Sequence, residues 1–507
     1  MIEPTPASLR SMNPLRWLAI FGPGAIIASL TIGTGELIFS SRGGALFGYR
    51  VLFLFAAISL LKWVLVFSTA RQMVLTGVHP LRRWLDFPIG PRGWLPAVMF
   101  VFAAGCIPIW VSFHASVIGD LIAGLTNTKQ WWHGAAVPIW GMAVLLLVSV
   151  VAFRGGYAAL ETVQIVVVAL MLLAVGIALV LLKPDWLELL IGTIWPQQLI
   201  YPQWLIHDPR PEMQAIAARP IWIEASLYVG VIGGGGYDYL AYTSFLRDKR
   251  WGLSATETDA LTIEELSTDQ QQRLRQWIRA PLIDCTLSFA IVLVFSAVFV
   301  ASGQIVLGPL RQIPGDGNFL EHQSQFLTQL HPWLYPLYVA GAMLAMVGTL
   351  YGTLEVAPAV IRESSRLLRG YTDSAMQEQH LRRIALGWTA GGAAVVLAIS
   401  FFTQIFWGQS RPPGLTTLLI PANLFTGVLA CGIICALNPW IDQKLPPPLR
   451  PRLILFMLNA LAAFIFLAVG IKGYWDFGGR VAIAMLLGTV AGGGVIAFVL
   501  RARIRSN

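Results

Sequence analysis

The chain has 507 residues, 56% of them hydrophobic and only 12% charged, which excludes a soluble domain of this size. Its formal charge of +9 is spread over the ends of apolar stretches, so it points to orientation in a bilayer and excludes a nucleic-acid partner. Cys106, Cys285, Cys431 and Cys435 all fall within apolar stretches and imply no disulfide framework. Twelve stretches are long enough to cross a hydrocarbon core: 18–47, 51–76, 94–123, 135–153, 158–182, 220–246, 282–306, 334–360, 384–403, 414–437, 452–471 and 481–500. The first exceeds the apolar region of a signal peptide and is read as a retained span. Three polar connections stand out between the stretches. The segment 183–219 is rich in proline and aromatics and predicts an ordered cap. The segment 247–280 predicts a short surface helix beginning near Thr262, with Glu265 completing a capping box. The connection 362–383 is basic.

Arg10, Arg16, Arg82, Arg83 and Arg92, with the basic runs 247–250, 273–279, 362–369, 382–383, 444–452 and 501–505, all fall on one side of the twelve-span arrangement. The other side has scattered charges such as Lys129, Lys183, Arg219 and Lys472. This bias predicts cytoplasmic N- and C-termini and a multi-pass protein of the cell's inner (plasma) membrane. The domain reading is a cytoplasmic N-terminus over 1–17, a core of ten spans over 18–440, and two added spans with a cytoplasmic C-terminus over 441–507. No phosphate-binding loop or enzyme motif is present, so neither an enzyme nor an ATP-driven pump is expected. No cofactor is implied, and a monomer is expected.

The first and sixth stretches are interrupted by glycine. The first reads LAIFGPGAIIASLTIGTGELIFSS, with its break at Gly33-Thr34-Gly35. The sixth reads WIEASLYVGVIGGGGYDYLAYTSF, with its break at Gly233 to Gly236. Each opens a group of five spans, so the predicted fold is an all-α membrane protein with a 5+5 inverted repeat. Paired interruptions of this kind mark the substrate site of a secondary transporter. Irregular backbone is tolerated in a bilayer only where protein or a cavity satisfies its polar groups. A broken helix presents free carbonyls that favour a cation and free N–H groups that favour an anion. The scaffold alone does not choose between them.

The run GPGAIIASLTIGTGELIFSSRGGALFGY resembles the GPG…DPGN…AGAxxGY run of the Nramp family of proton-coupled divalent-metal transporters. YAALETVQIVVVALMLL, LIDCTLSFAIVL and GTLYGTLEVAPAV resemble further motifs of that family in the same order, over about residues 18–440. The resemblance implies the leucine-transporter fold. It also sets Gly33 where the family has its metal-binding Asp, Glu36 where it has Asn, Gly236 at its Met and Asp238 at its His. Ser116 stands where an acidic proton-pathway residue is usual, with Asp120 one turn later. A site without that carboxylate and thioether argues against transition metals.

Two substrate readings follow. In the preferred one, backbone N–H groups of Gly33, Gly35 and Gly233 to Gly236 hold a small anion, bicarbonate first, with hydroxyls from Thr34, Tyr237 and Tyr239. In the alternative, Glu36 and Asp238 bind a hard cation such as Mn²⁺ or Mg²⁺. The coupling ion is expected to be H⁺ or Na⁺. His114, Ser116, Asp120 and Glu355 are candidates for a proton pathway, and Thr349 and Thr353 for sodium. Glu161 and Asp284 are expected to stabilise helix starts. A channel, and more remotely a receptor on the same fold, are the other function classes.

Overall fold

The computed structural model describes residues 2, 4–11, 13–255, 267–314, 328, 332–369, 375–407 and 415–504. Among these residues helices are the only regular secondary structure and no strand is present. Helix 1 consists of two halves, 1a (Pro23–Ile32) and 1b (Thr34–Phe47). Helices 2 to 5 follow at Leu52–Thr76, Trp94–Leu125, Ala136–Arg154 and Tyr157–Leu182. Helix 6 is again split, into 6a (Ile221–Val231) and 6b (Gly236–Lys249). Helices 7, 8 and 9 occupy Arg279–Ser302, Tyr335–Arg369 and Ala375–Trp407.

Helix 10 begins at Leu415–Asn423, passes through a π-helical turn at Leu424–Leu429 and ends as Ala430–Gln443. The last element, Leu453–Ile504, is kinked at Gly478 and Gly479 into helices 11 and 12. Nine continuous stretches among the described residues are long and apolar enough to cross a membrane. Twelve spans reduce to nine because Thr34–Thr76 joins helices 1b and 2, Leu453–Val499 joins 11 and 12, and neither half of helix 6 reaches 18 residues.

Helices 1, 2, 6 and 7 pack as one bundle, and helices 3, 4, 8 and 9 pack as a second group against it. Corresponding members of the two five-helix repeats thus share a layer. Small residues allow the close approaches. A Cβ on Gly44 of helix 1b would lie 2.1 Å from the Val300 carbonyl of helix 7, and one on Gly119 of helix 3 would lie 2.4 Å from the Val137 carbonyl of helix 4. Outward faces stay apolar, as at Leu146, Leu147, Phe464 and Met485, which suits contact with lipid chains.

The segment 183–219 is ordered, with short helices at Trp186–Ile194, Gln203–Ile206 and Pro211–Ala217. With the ends of helices 1b and 7 it lines a cavity of about 840 Å³. The surface helix in the 247–280 connection is Thr268–Trp277, and its capping box is Ser267 with Gln270. The predicted start at Thr262 with Glu265 lies outside the described residues; Ser267 and Gln270 form a reciprocal cap of the same kind five residues on.

Candidate functional site

The two interruptions differ in length and cause. Helix 1 breaks at one residue, Gly33, whose ψ of −128° diverts the chain before Thr34 restarts the helix. A Cβ on Gly33 would lie 1.6 Å from the Thr349 hydroxyl of helix 8, so this glycine is required by packing. Helix 6 breaks over four residues. Gly233 and Gly234 have φ of +81° and +91°, which only glycine adopts readily. Gly235 and Gly236 have no positive φ; they let helix 10 approach, their Cβ positions falling 2.9 Å from the Thr426 carbonyl and 2.8 Å from Ala430.

Between the breaks lies a cavity of about 60 Å³, room for about four water-sized groups. Of the residues expected at the substrate, Gly35, Gly234, Gly235, Tyr237 and Asp238 line it. His114 and Thr353 line it as well, with Thr31, Trp110, Gly230, Thr426 and Gly427. Gly33, Thr34, Glu36, Gly233, Gly236 and Tyr239 lie in the surrounding shell.

The polar groups at the breaks are sorted by charge. Glu36, wholly buried in the first turn of helix 1b, accepts from Ser40 Oγ at 2.5 Å, Ser296 Oγ at 2.7 Å and the Gly233 N–H at 3.4 Å. Asp238, in the first turn of helix 6b, accepts from the Gly235 N–H at 2.7 Å. The N–H groups assigned to an anion at these two glycines therefore already serve the chain's own carboxylates. The expected hydroxyl donors are also engaged. Tyr237 donates to the Met99 carbonyl at 2.6 Å, Tyr239 to the Gly233 carbonyl at 2.5 Å, and Thr34 bonds His114 Nδ1. These contacts engage two of the six glycine N–H groups, and all three hydroxyls, that the anion arrangement expected from glycine content had counted as free.

Lys62, wholly buried on helix 2, occupies the opposite pole. Its ammonium donates to the carbonyls of Gly234 at 2.5 Å, Ile232 at 2.7 Å and Gly230 at 3.5 Å. Beside Gly230, the Asn423 amide oxygen is buried and has no hydrogen-bond partner among the described residues. Asn423 directly precedes the π-helical turn of helix 10, a distortion that often marks functional positions. Sequence reasoning missed Lys62, Asn423 and Thr426. The first had an available signal, because a lysine in the middle of an apolar span is a functional hypothesis by default. The π turn has no comparable mark in the sequence.

The coupling candidates separate. His114 reaches the cavity and stacks on Trp110 with ring centroids 5.6 Å apart. Asp120 pairs with Lys129 at 3.0 Å near the end of helix 3, and Glu355 of helix 8 pairs with Arg382 of helix 9. Ser116 lies against the backbone of Gly141 on helix 4, away from the cavity. Thr349 donates to the carbonyls of Ser29 and Ala345, and Thr353 to that of Thr349. Asp284 accepts from the N–H groups of Gly22 and Gly24, at 2.9 and 2.7 Å, and caps helix 1a across the bundle rather than its own helix. Glu161 pairs with Lys249 at 2.5 Å. At the other end of the broken helices a buried ion pair joins Arg42 of 1b to Glu224 of 6a. The four thiols are all buried, and no group of three His, Cys, Asp or Glu residues that could hold a metal occurs among the described residues.

No family model matches the chain. Two curated relatives, the divalent metal cation transporters MntH of Staphylococcus aureus strains JH9 and Newman, are each 30% identical over 149 residues. That stretch is 29% of this chain and spans only 31% of either relative's length. The structure of the Eremococcus coleocola manganese transporter, in complex with an aromatic bis-isothiourea compound, superposes with a TM-score of 0.67 at 14% identity. The superposition covers 99% of this chain and 97% of that one. MhsT in complex with L-phenylalanine gives a TM-score of 0.53 at 14% identity, covering 90% and 98%. The chain thus has the all-α, leucine-transporter-like fold with broken helices 1 and 6, and over part of its length it shares sequence with the MntH divalent-metal transporters.

Proposed function

We propose that this chain is a secondary-active membrane transporter of Nramp type that carries a hard divalent cation, manganese or magnesium, with Glu36 and Asp238 as its charged ligands. The observation that carries this reading is the sorting of charge at the breaks: carboxylates hold the N–H groups, and a cation, the Lys62 ammonium, rests on the carbonyls. The cavity offers Asp238, threonine hydroxyls and backbone carbonyls, and the shell adds Glu36 and the Asn423 amide. An all-oxygen set of this kind suits Mg²⁺ or Mn²⁺ better than softer metals. The printed names of the relatives and of the Eremococcus coleocola structure, divalent metal cation and manganese transporters, agree with that class.

The reading does not extend to bicarbonate, because two of the six glycine N–H groups counted for it, those of Gly233 and Gly235, bond the chain's own carboxylates. Protons are the coupling ion in this reading, with His114 at the cavity as the first relay candidate; Asp120 and Glu355 are held in ion pairs. The substrate core over 18–440, the cytoplasmic termini and the plasma-membrane location complete the proposal. They rest on the repeat and on the distribution of arginine and lysine. Calorimetric titration of the purified chain in lipid nanodiscs tests the reading. Saturable Mn²⁺ or Mg²⁺ binding lost in Glu36→Gln and Asp238→Asn is expected. Bicarbonate binding that survives both substitutions, without cation binding, would reverse it.

A further inference from the structure

We infer that Lys62 is a tethered occupant of the cation site, a competitor that the cargo must displace before it can use the helix 6 carbonyls. The inference rests on the cation reading of the site and adds the means by which that site rejects monovalent ions.

The end of helix 6a leaves carbonyls without helical partners, and in a bilayer such groups need a positive ligand or a donor. The ammonium of Lys62 fills that role with three carbonyls, those of Gly234, Ile232 and Gly230. Its side chain runs past the break, where a Cβ on Gly233 would lie 3.3 Å from Lys62 Cδ. Helix 2 meets helix 6b and helix 7 on this face, so the stem comes from the bundle wall and not from the broken helix itself. Both carboxylates bond N–H groups of the same break, Glu36 at Gly233 and Asp238 at Gly235, beside the carbonyls of Ile232 and Gly234 that hold the ammonium.

Taken as ionised, two carboxylates and one ammonium leave the site with a single net negative charge. A divalent ion entering between them would face the ammonium as a like charge, so its binding and the seating of Lys62 exclude one another. A monovalent ion carries no more charge than the ammonium it would replace, and gains nothing from the exchange. A divalent ion gains the second unit of attraction. The tethered lysine therefore discriminates by charge, and it also covers the carbonyls when the carrier is empty. Lys62 is a specificity-determining residue in this account.

Calorimetric titration of the full chain in nanodiscs separates this inference from the function it rests on. The variant K62Q keeps an N–H donor for the carbonyls and removes the charge. If the ammonium occupies the site nine parts in ten, K62Q binds Mn²⁺ about tenfold more tightly than wild type, and it gains measurable Na⁺ binding. K62A leaves the cradle open, and n-propylammonium supplies the missing part of the side chain. In K62A, n-propylammonium should raise the apparent Kd for Mn²⁺ in proportion to its concentration; in wild type it should not. Mn²⁺ affinity and Na⁺ exclusion unchanged in K62Q, or no competition by n-propylammonium in K62A, overturns the inference while leaving the cation reading intact. Absence of Mn²⁺ and Mg²⁺ binding in wild type and K62Q alike overturns the cation reading itself.

Discussion

Replacing Gly234 by alanine tests whether the four-glycine run is set by backbone conformation, by packing, or by both. Gly234 has φ +91°, and its added Cβ would stand 2.7 Å from Thr31 Cγ2 and 3.2 Å from Asp238 Oδ2. Holding an L-residue in that backbone region costs about 1–2 kcal/mol, and overpacking a filled site adds about 1–3 kcal/mol. The expected destabilisation is therefore about 2–5 kcal/mol. Gly233→Ala shares the backbone cost but meets its nearest atoms only at 3.3 Å, so about 1–2 kcal/mol is expected there. Thr31→Ser removes the clashing methyl group. Placed with Gly234→Ala, it should return the packing part of the loss and leave the backbone part, a coupling that a double-mutant cycle isolates. Unfolding titrations in mixed micelles, followed by tryptophan fluorescence, give the four stabilities. A loss below about 0.5 kcal/mol for Gly234→Ala, or no recovery with Thr31→Ser, would refute this account of the break.

Glu224→Ala should destabilise the protein by about 3–5 kcal/mol, because it strands the buried Arg42 guanidinium and the Tyr228 hydroxyl that both bond this carboxylate. Thermal unfolding in detergent measures the loss, and a double replacement of Arg42 and Glu224 by methionine should recover most of it. Ser267→Ala removes the cap of the Thr268–Trp277 helix and should cost about 1 kcal/mol locally. Hydrogen exchange should then quicken in its first turn while Mn²⁺ binding is unchanged. In the 183–219 segment, side-chain and backbone hydrogen bonds from Arg210 lower the Asp208 carboxyl from 3.8 to about 2. A depressed acid contributes its stabilisation above the unfolded value and loses it as pH falls. This contact should thus be complete above about pH 4 and released toward pH 2. A carboxyl NMR titration with a midpoint at 3.8 or higher would contradict it.

The fold was legible because its signals are long-range and redundant. Twelve apolar stretches, with glycine breaks opening each group of five, specify paired half-helices whatever the side-chain detail, and helices 1 and 6 break at the expected positions. Substrate sign was not legible, because it depends on which atoms saturate which. The six glycines predicted free N–H donors, yet Gly233 and Gly235 donate to Glu36 and Asp238, residues three to four positions from the breaks or across the bundle. Lys62 lies some 170 residues from the carbonyls it covers, and no local pattern pairs them. The glycines also proved unequal. Positive φ accounts for Gly233 and Gly234, whereas Gly33, Gly35, Gly235 and Gly236 are small because Thr349, Val231, Thr426 and Ala430 stand against them. A valine at Gly35 or Gly235 would fail by collision and not by backbone strain.

Whether Glu36 and Asp238 carry a cation across the bilayer is read from flux through sealed proteoliposomes. Vesicles holding the full chain and a metal-sensitive dye are given Mn²⁺ or Mg²⁺ outside, in parallel with vesicles holding a pH dye and given bicarbonate. Saturable metal entry, absent from Glu36→Gln and Asp238→Asn vesicles and unaccompanied by bicarbonate-dependent flux, is the predicted result. Bicarbonate-dependent flux without metal entry, retained by both variants, would rule out the carboxylates as cation ligands.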